Sequence, residues 1–133
     1  MKTTFKIIDG NLHEYDSNGK EIHCKSSDGY ETWSEYDSNG NEIHFKTSNG
    51  YESWREYDSN GNEIHFKNSY GFESWREYDS NGNLIHVKNS NGYESWYDSN
   101  GKKITKKQFD KLNSSCDGKI AIIAGKKYQL TLL

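Results

Sequence analysis

Histidine recurs at His23, His44, His65 and His86, 21 residues apart and each time directly after an isoleucine. Imidazole is the commonest protein ligand for transition metals, so such a column raises the question of a metal site. The spacing argues against a shared ion. If one period is two strands, equivalent histidines stand about 9.6 Å apart, whereas the ligands of one zinc ion lie within a few ångströms of each other. The imidazoles are expected to meet a neighbouring arginine row or solvent, where they could make a partner contact pH-sensitive.

Other chemistry is weighed in the same way. The tract DSNGNE places oxygens at alternate positions, Asp58, Asn60 and Asn62, as a calcium loop does. Its glycine, Gly61, falls fourth in the tract, whereas such a loop needs glycine at the sixth position. Asp and Asn also favour turns for another reason, their hydrogen bonds to nearby backbone amides. Carboxylates are plentiful, but each repeats in equivalent surroundings, whereas acid–base catalysis needs two groups in different environments. No nucleophile elbow, phosphate loop or Cys–His arrangement occurs. Cys24 and Cys116 form no spaced motif, and Cys24 stands in the slot of Phe45, Phe66 and Val87, which suggests a small buried hydrophobe. The expectation is a non-enzyme without cofactor or metal.

The same 21-residue period governs Tyr15, Tyr36, Tyr57 and Tyr78, and also Trp33, Trp54, Trp75 and Trp96. Self-similarity at a fixed short period is the signature of a stacked array. Each unit has two glycine turns, YDSNG and a second such as SNGY at 48–51. Asn-Gly between aromatic and β-branched stretches signals a hairpin, so one unit is two strands and two turns. The fold class expected is mainly β: an antiparallel meander of 21-residue hairpin repeats in one elongated or coiled sheet. Residues 1–103 would form the array and 104–133 a cap of one short helix and a final hairpin.

A specific register follows if equivalent residues must lie in line. A two-residue loop at Asn49-Gly50 and a three-residue loop at Ser59-Asn60-Gly61 together advance the pairing by 21, matching the period. Two three-residue loops would advance it by 22 and would need a bulge. The first solution places Trp54 between Phe45 and Phe66 in a continuous aromatic ladder, with Ile43, Ile64 and Ile85 beside it. The opposite, polar face would pair His44 with Arg55, Glu42 with Tyr57 and Lys46 with Ser53. Terminal strands are expected to be short, which blunts sheet edges. In the cap, Thr105 and Gln108 form a capping box ahead of Phe109 and Leu112.

The units resemble YD repeats, the hairpin repeats of polymorphic bacterial toxin shells and teneurins, through Tyr36-Asp37-Ser38-Asn39-Gly40-Asn41, then Gly50, then Tyr57-Asp58. The resemblance covers about residues 10 to 103 and implies a scaffold of strands that displays or encloses something else. Four and a half units are too few to close a shell. A weaker similarity, through GYESWREYDSNG, is to the aromatic repeats of choline-binding cell-wall proteins.

Charge narrows the partners. The chain carries −3 overall. Residues 97–133 hold eight Lys and three Asp, hence +5, which leaves −8 for the array. That sign repels phosphates and argues against direct nucleic-acid binding by the repeats. No apolar run reaches membrane-spanning length, roughly 18 residues, and MKTTFKIIDG has no apolar signal core, so a cytoplasmic location is expected. The reading that results is a non-enzymatic protein-binding module, such as an inhibitor or immunity protein, for example a phage-encoded inhibitor of a bacterial nucleic-acid-processing defence enzyme. Its expected contact residues are Arg55, Arg76, Tyr57, Tyr78, His44 and His65, on a sheet that exposes rows of Tyr, Arg and Trp, types enriched at interface hot spots. The alternatives are a carbohydrate or cell-wall binder using the Trp row, and a scaffold that self-associates through a sheet edge or apolar face.

Overall fold

A computed structural model describes residues 2–114 throughout and the backbone of 120–123 and 126–129. Eleven antiparallel strands follow one another in chain order across a single sheet. They are β1 (Thr4–Ile8), β2 (Asn11–Tyr15), β3 (Glu21–Lys25), β4 (Glu31–Tyr36), β5 (Glu42–Thr47) and β6 (Glu52–Tyr57). The order continues with β7 (Glu63–Asn68), β8 (Glu73–Tyr78), β9 (Leu84–Asn89), β10 (Glu94–Tyr97) and β11 (Lys103–Ile104). Helix α1 (Lys106–Asn113) comes next, and β12 (Ile120–Ile123) pairs with β13 (Lys126–Gln129) as a separate hairpin. The expected mainly β meander with a helical cap is therefore observed. Side chains of the last hairpin and Cys116 lie outside the described residues.

Turn geometry sets the register. At the YDSNG turn, Asp58 N–H donates to the Asn62 carbonyl at 2.9 Å, and Gly61 N–H to the Asp58 carbonyl at 3.0 Å. The second turn has the same pattern: Thr47 N–H donates to Tyr51 at 2.9 Å, and Gly50 N–H to Thr47 at 3.1 Å. Both are three-residue loops that end in a left-handed glycine, φ 84° at Gly61 and 98° at Gly50. The two-residue mirror-type loop that Asn-Gly favours needs positive φ at both central residues. Among the described residues only Asp9-Gly10 meets that condition, at φ 50° and 80°, and it joins β1 to β2. Asn49 does not have positive φ, so the two-residue loop expected there is replaced.

The bulge that this choice requires is present. Pairs between β5 and β6 sum to 98, as in His44↔Trp54. Pairs between β6 and β7 begin at 120 with Tyr57↔Glu63, then shift to 121 from Glu56↔His65 onward. The same shift recurs between β4 and β5, and between β8 and β9. Beyond the bulge the register advances by 23 against a period of 21, a slip of two residues per unit. Two is even, so each residue type stays on its face, whereas the slip of one without a bulge would exchange the faces at every repeat.

This register overturns the Trp–Phe ladder. Trp54 pairs with His44 and Lys67, while Phe45 pairs with Ser53 and Phe66 with Arg55. Directly paired residues share a face and sequence neighbours do not. Trp54 therefore lies on the side opposite Phe45 and Phe66. The expected polar pairs His44–Arg55 and Lys46–Ser53 are absent for the same reason, while Glu42 and Tyr57 share a face but meet through a hydroxyl-to-carbonyl bond rather than as a ladder pair.

Among the described residues only Ile85 and Val87 are buried apolar side chains, each 8 % exposed, beside buried Thr47, Ser53, Ser74 and Ser95. A single sheet without a conventional core must hold itself by local bonds. Each YDSNG aspartate folds its turn: Asp37 Oδ1 accepts from Asn39 and Asn41 N–H, both at 2.9 Å. These bonds hold the Asp37 carboxyl below its ordinary range. The second turn is stitched to the preceding unit, with Ser69 N–H donating to the Glu52 carbonyl at 2.8 Å and Glu52 N–H to Ser69 Oγ at 3.0 Å. Cys24, expected to be buried, is only half-buried. The capping box forms as expected: Gln108 N–H donates to Thr105 Oγ1 at 3.2 Å and Thr105 N–H to Gln108 Oε1 at 2.9 Å. The helix brings Phe109 to 6.2 Å from the His86 ring, at the end of the sheet where Trp96 is half-buried.

Tyrosines close the gap where the bulged ladder parts. The β5–β6 pairing stops at His44↔Trp54, and the Glu42 carbonyl beyond it accepts the Tyr57 hydroxyl at 2.8 Å. Tyr36 and Tyr78 do the same to Glu21 at 2.8 Å and Glu63 at 3.0 Å. Burial, foremost, raises the phenol pKa of all three. A group whose folded-state pKa is raised stabilises fully below its unfolded value and loses that contribution as pH climbs through the folded one. Tyr57→Phe is expected to cost about 1 kcal/mol at neutral pH and to soften the loss of stability above pH ~10. Urea titrations of both proteins at the two pH values check this; equal midpoints at neutral pH would contradict the clamp.

Candidate interaction surface

Alternation along the strands sorts the side chains into two surfaces of different chemistry. One carries the tryptophans and the histidine column. Each unit stacks an imidazole against the indole paired with it, His23 on Trp33, His44 on Trp54, His65 on Trp75 and His86 on Trp96. Their ring centroids are 5.3, 5.5, 5.6 and 5.3 Å apart. Two carboxylates hold every imidazole in place. His44 Nε2 lies 2.7 Å from Glu52 and Nδ1 3.6 Å from Glu35; His65 has Glu73 at 2.9 Å and Glu56 at 3.7 Å. The expected meeting of histidine with arginine does not occur, since arginine is on the other side.

Stacking uses one side of each indole and leaves much of the ring open. Trp33, Trp54 and Trp75 remain 37 %, 40 % and 40 % exposed. Glu35 and Glu56 flank them at 69 % and 70 % side-chain exposure. Following the pairings, this face holds Glu14, Glu31, Glu35, Glu52, Glu56, Glu73, Glu77 and Glu94 against Lys25, Lys46, Lys67 and Lys88. Its balance is −4 with neutral histidines.

The second face is a bonded network. Arg55 lies between Glu42 at 3.0 Å and Glu63 at 3.1 Å and over the Phe66 ring at 5.0 Å. Arg76 pairs with the same Glu63 at 2.6 Å. The bulge is what puts Glu63 there, opposite Tyr57 on the arginine side of the sheet. Beside this network run aromatic pairs, Phe45–Tyr51 at 6.2 Å, Tyr51–Tyr70 at 5.4 Å and Phe66–Phe72 at 6.1 Å.

The six expected contact residues are therefore divided. His44 and His65 belong to the tryptophan face; Arg55, Arg76, Tyr57 and Tyr78 belong to the other, where the tyrosine hydroxyls are engaged by backbone carbonyls and the guanidiniums by glutamates. The expected register put the tryptophans in one row with the phenylalanines and left them out of the first-choice contact set, although the Trp row was the contact surface of the carbohydrate alternative. Their signal is the polar company they keep, Glu-Ser-Trp-Arg-Glu around Trp54 and Trp75 and Glu-Thr-Trp-Ser-Glu around Trp33, where alternation puts each of these indoles on the side of two glutamates.

No protein-family model matches the chain, and no curated protein does so either. The site is therefore read from its own geometry.

The network makes one contrast measurable. Glu63 is 22 % exposed and serves two arginines, whereas Glu56 is 70 % exposed. Glu63→Gln is expected to cost about 1 kcal/mol or more, and Glu56→Gln close to nothing, as an exposed pair usually contributes little. Thermal or urea unfolding of both variants checks the order, and a reversed order would contradict the assigned bulge.

Proposed function

We propose that the chain is a non-enzymatic protein-binding module whose contact surface is the stripe of Trp33, Trp54 and Trp75 with its glutamate rim. The observation that carries this reading is the repeated half-open indole, backed by imidazole on rigid paired strands and set in a field of −4. Tryptophan is the residue type most enriched at interface hot spots, and preorganised rings lose little entropy on contact. The acidic rim favours a partner with a basic surface. Such a surface is typical of proteins that handle nucleic acid, which suits an inhibitor or immunity role, with the hairpin array acting as the rigid display frame that its YD-repeat likeness implies. This stripe replaces the mixed set of arginine, tyrosine and histidine as the first choice of contact residues.

One observation also favours a glycan: an exposed indole face stacks on a sugar ring as readily as on a side chain. The two readings separate in one set of experiments. Immobilised protein captures partners from lysate, and the Trp54→Ala, Trp75→Ala pair is expected to lose its specific partner by roughly 30-fold or more, a typical hot-spot loss. Arg55→Glu, Arg76→Glu should keep it to the extent that the variant stays folded by circular dichroism. Identical capture by wild type and the tryptophan variant would reject the stripe. A saturable change in tryptophan fluorescence on titrating cell-wall glycan would move the assignment to carbohydrate.

A further inference from the structure

The first unit departs from the others at two positions that face each other. Counted from the Tyr-Asp pair, His13 occupies the slot of Arg55 and Arg76, and Cys24 the slot of Phe45 and Phe66, while Glu21 keeps the slot of Glu42 and Glu63. Strand pairing sets His13 directly opposite Cys24, as Arg55 is set opposite Phe66. In the third unit these slots hold a guanidinium over a phenyl ring with a carboxylate beside it. In the first unit the same scaffold presents an imidazole nitrogen, a thiol sulfur and a carboxylate oxygen, with one donor atom from each residue within 4.8 Å of the others.

We infer that His13, Glu21 and Cys24 form a binding site for a single zinc-class divalent cation, with a fourth coordination position left for water or a partner's ligand. Donors on one tetrahedral zinc ion stand about 3.3–3.8 Å apart, given bond lengths near 2.0–2.3 Å. Side chains on fixed neighbouring strands reach that spacing by small rotamer adjustments. His13 Nδ1 already contacts Glu21 Oε1, so two of the three are converged before any ion arrives. The site is partly open, with side-chain exposures of 19 % for His13 and 41 % for Glu21, which allows entry. A set of sulfur, nitrogen and oxygen selects zinc or cobalt over magnesium or calcium. Charge also balances, because thiolate and carboxylate together neutralise a divalent ion. Burial, and then Glu21, push the free Cys24 thiol up, so binding releases its proton to solvent as the sulfur–metal bond forms. The nearest cation on the facing strand, Lys6, is paired in register with His13 but its Nζ lies over the Tyr15 ring at 5.5 Å.

The distance that excludes a metal shared along the histidine column does not apply here, because these ligands come from two adjacent strands of one unit. The repeat itself supplies the control, since the later units have the same backbone and different side chains.

Cobalt(II) titration of the Cys116→Ser protein tests the site, that variant leaving Cys24 as the sole thiol. The expected result is one equivalent bound, with a near-ultraviolet thiolate-to-cobalt band and visible bands of a four-coordinate ion, all displaced by zinc. Cys24→Ser and His13→Arg should each lose the band and weaken binding at least ~10-fold. The double variant His13→Arg, Cys24→Phe, which restores the pattern of the later units, should fold by circular dichroism yet bind no cobalt. Absence of the band in the Cys116→Ser protein, or its persistence in Cys24→Ser or His13→Arg, would overturn the assignment.

Discussion

Two turns of one geometry stand at alternate ends of the strands, and they do not fit the period of the sequence. Three-residue loops at Ser48-Asn49-Gly50 and Ser59-Asn60-Gly61 advance the pairing by 22, while the chain repeats every 21. A remainder of one would turn every second copy of a residue to the wrong side. The bulge at Glu63, and its counterparts at Glu42 and Leu84, changes the remainder to two and so preserves the faces. Rows of equivalent residues consequently run obliquely across the sheet. Trp33, Trp54 and Trp75 each meet a histidine on one flank and a lysine on the other, and Trp96 meets His86 and Ile104.

The division of labour between the faces follows from that parity. The bulge brings Glu42 and Glu63 to the arginine side, where they pair with guanidinium, and leaves a carbonyl that a tyrosine hydroxyl fills. Hydrogen bonds and partly shielded ion pairs thus do much of what a second layer does in a conventional domain, each contributing on the order of 1 kcal/mol. The opposite side, relieved of that task, carries indoles backed by imidazoles and rimmed by carboxylates. A rigid display surface arises without a globular core beneath it, and the helix adds packing only at the far end, where Phe109 meets His86.

Much of this was legible in the residues. The period announced an array, the glycines marked both turns, and Thr105 with Gln108 announced the helix start. The register was not legible, because Asn-Gly suits a two-residue loop as well as the end of a three-residue one. The choice turns on the φ of the residue before glycine, and no side chain at 48 or 49 dictates it. The bulge has no residue of its own either: the Glu-Ile step that holds it looks like ordinary strand. One wrong step of parity placed tryptophan with phenylalanine and histidine with arginine, which split the expected contact set between two faces. The donor trio of the first unit was hidden for a related reason. His13 and Cys24 become visible as a pair only when the strands are aligned across the hairpin.

Proton–proton contacts across the β5–β6 and β6–β7 pairs measure the register most directly. Nuclear Overhauser effects from the Trp54 indole to the His44 ring and to the Lys67 side chain, with none to the Phe45 or Phe66 rings, are the predicted result. Indole contacts to both phenyl rings instead would restore in-line rows, remove the bulge and contradict the two-faced sheet on which the functional reading stands.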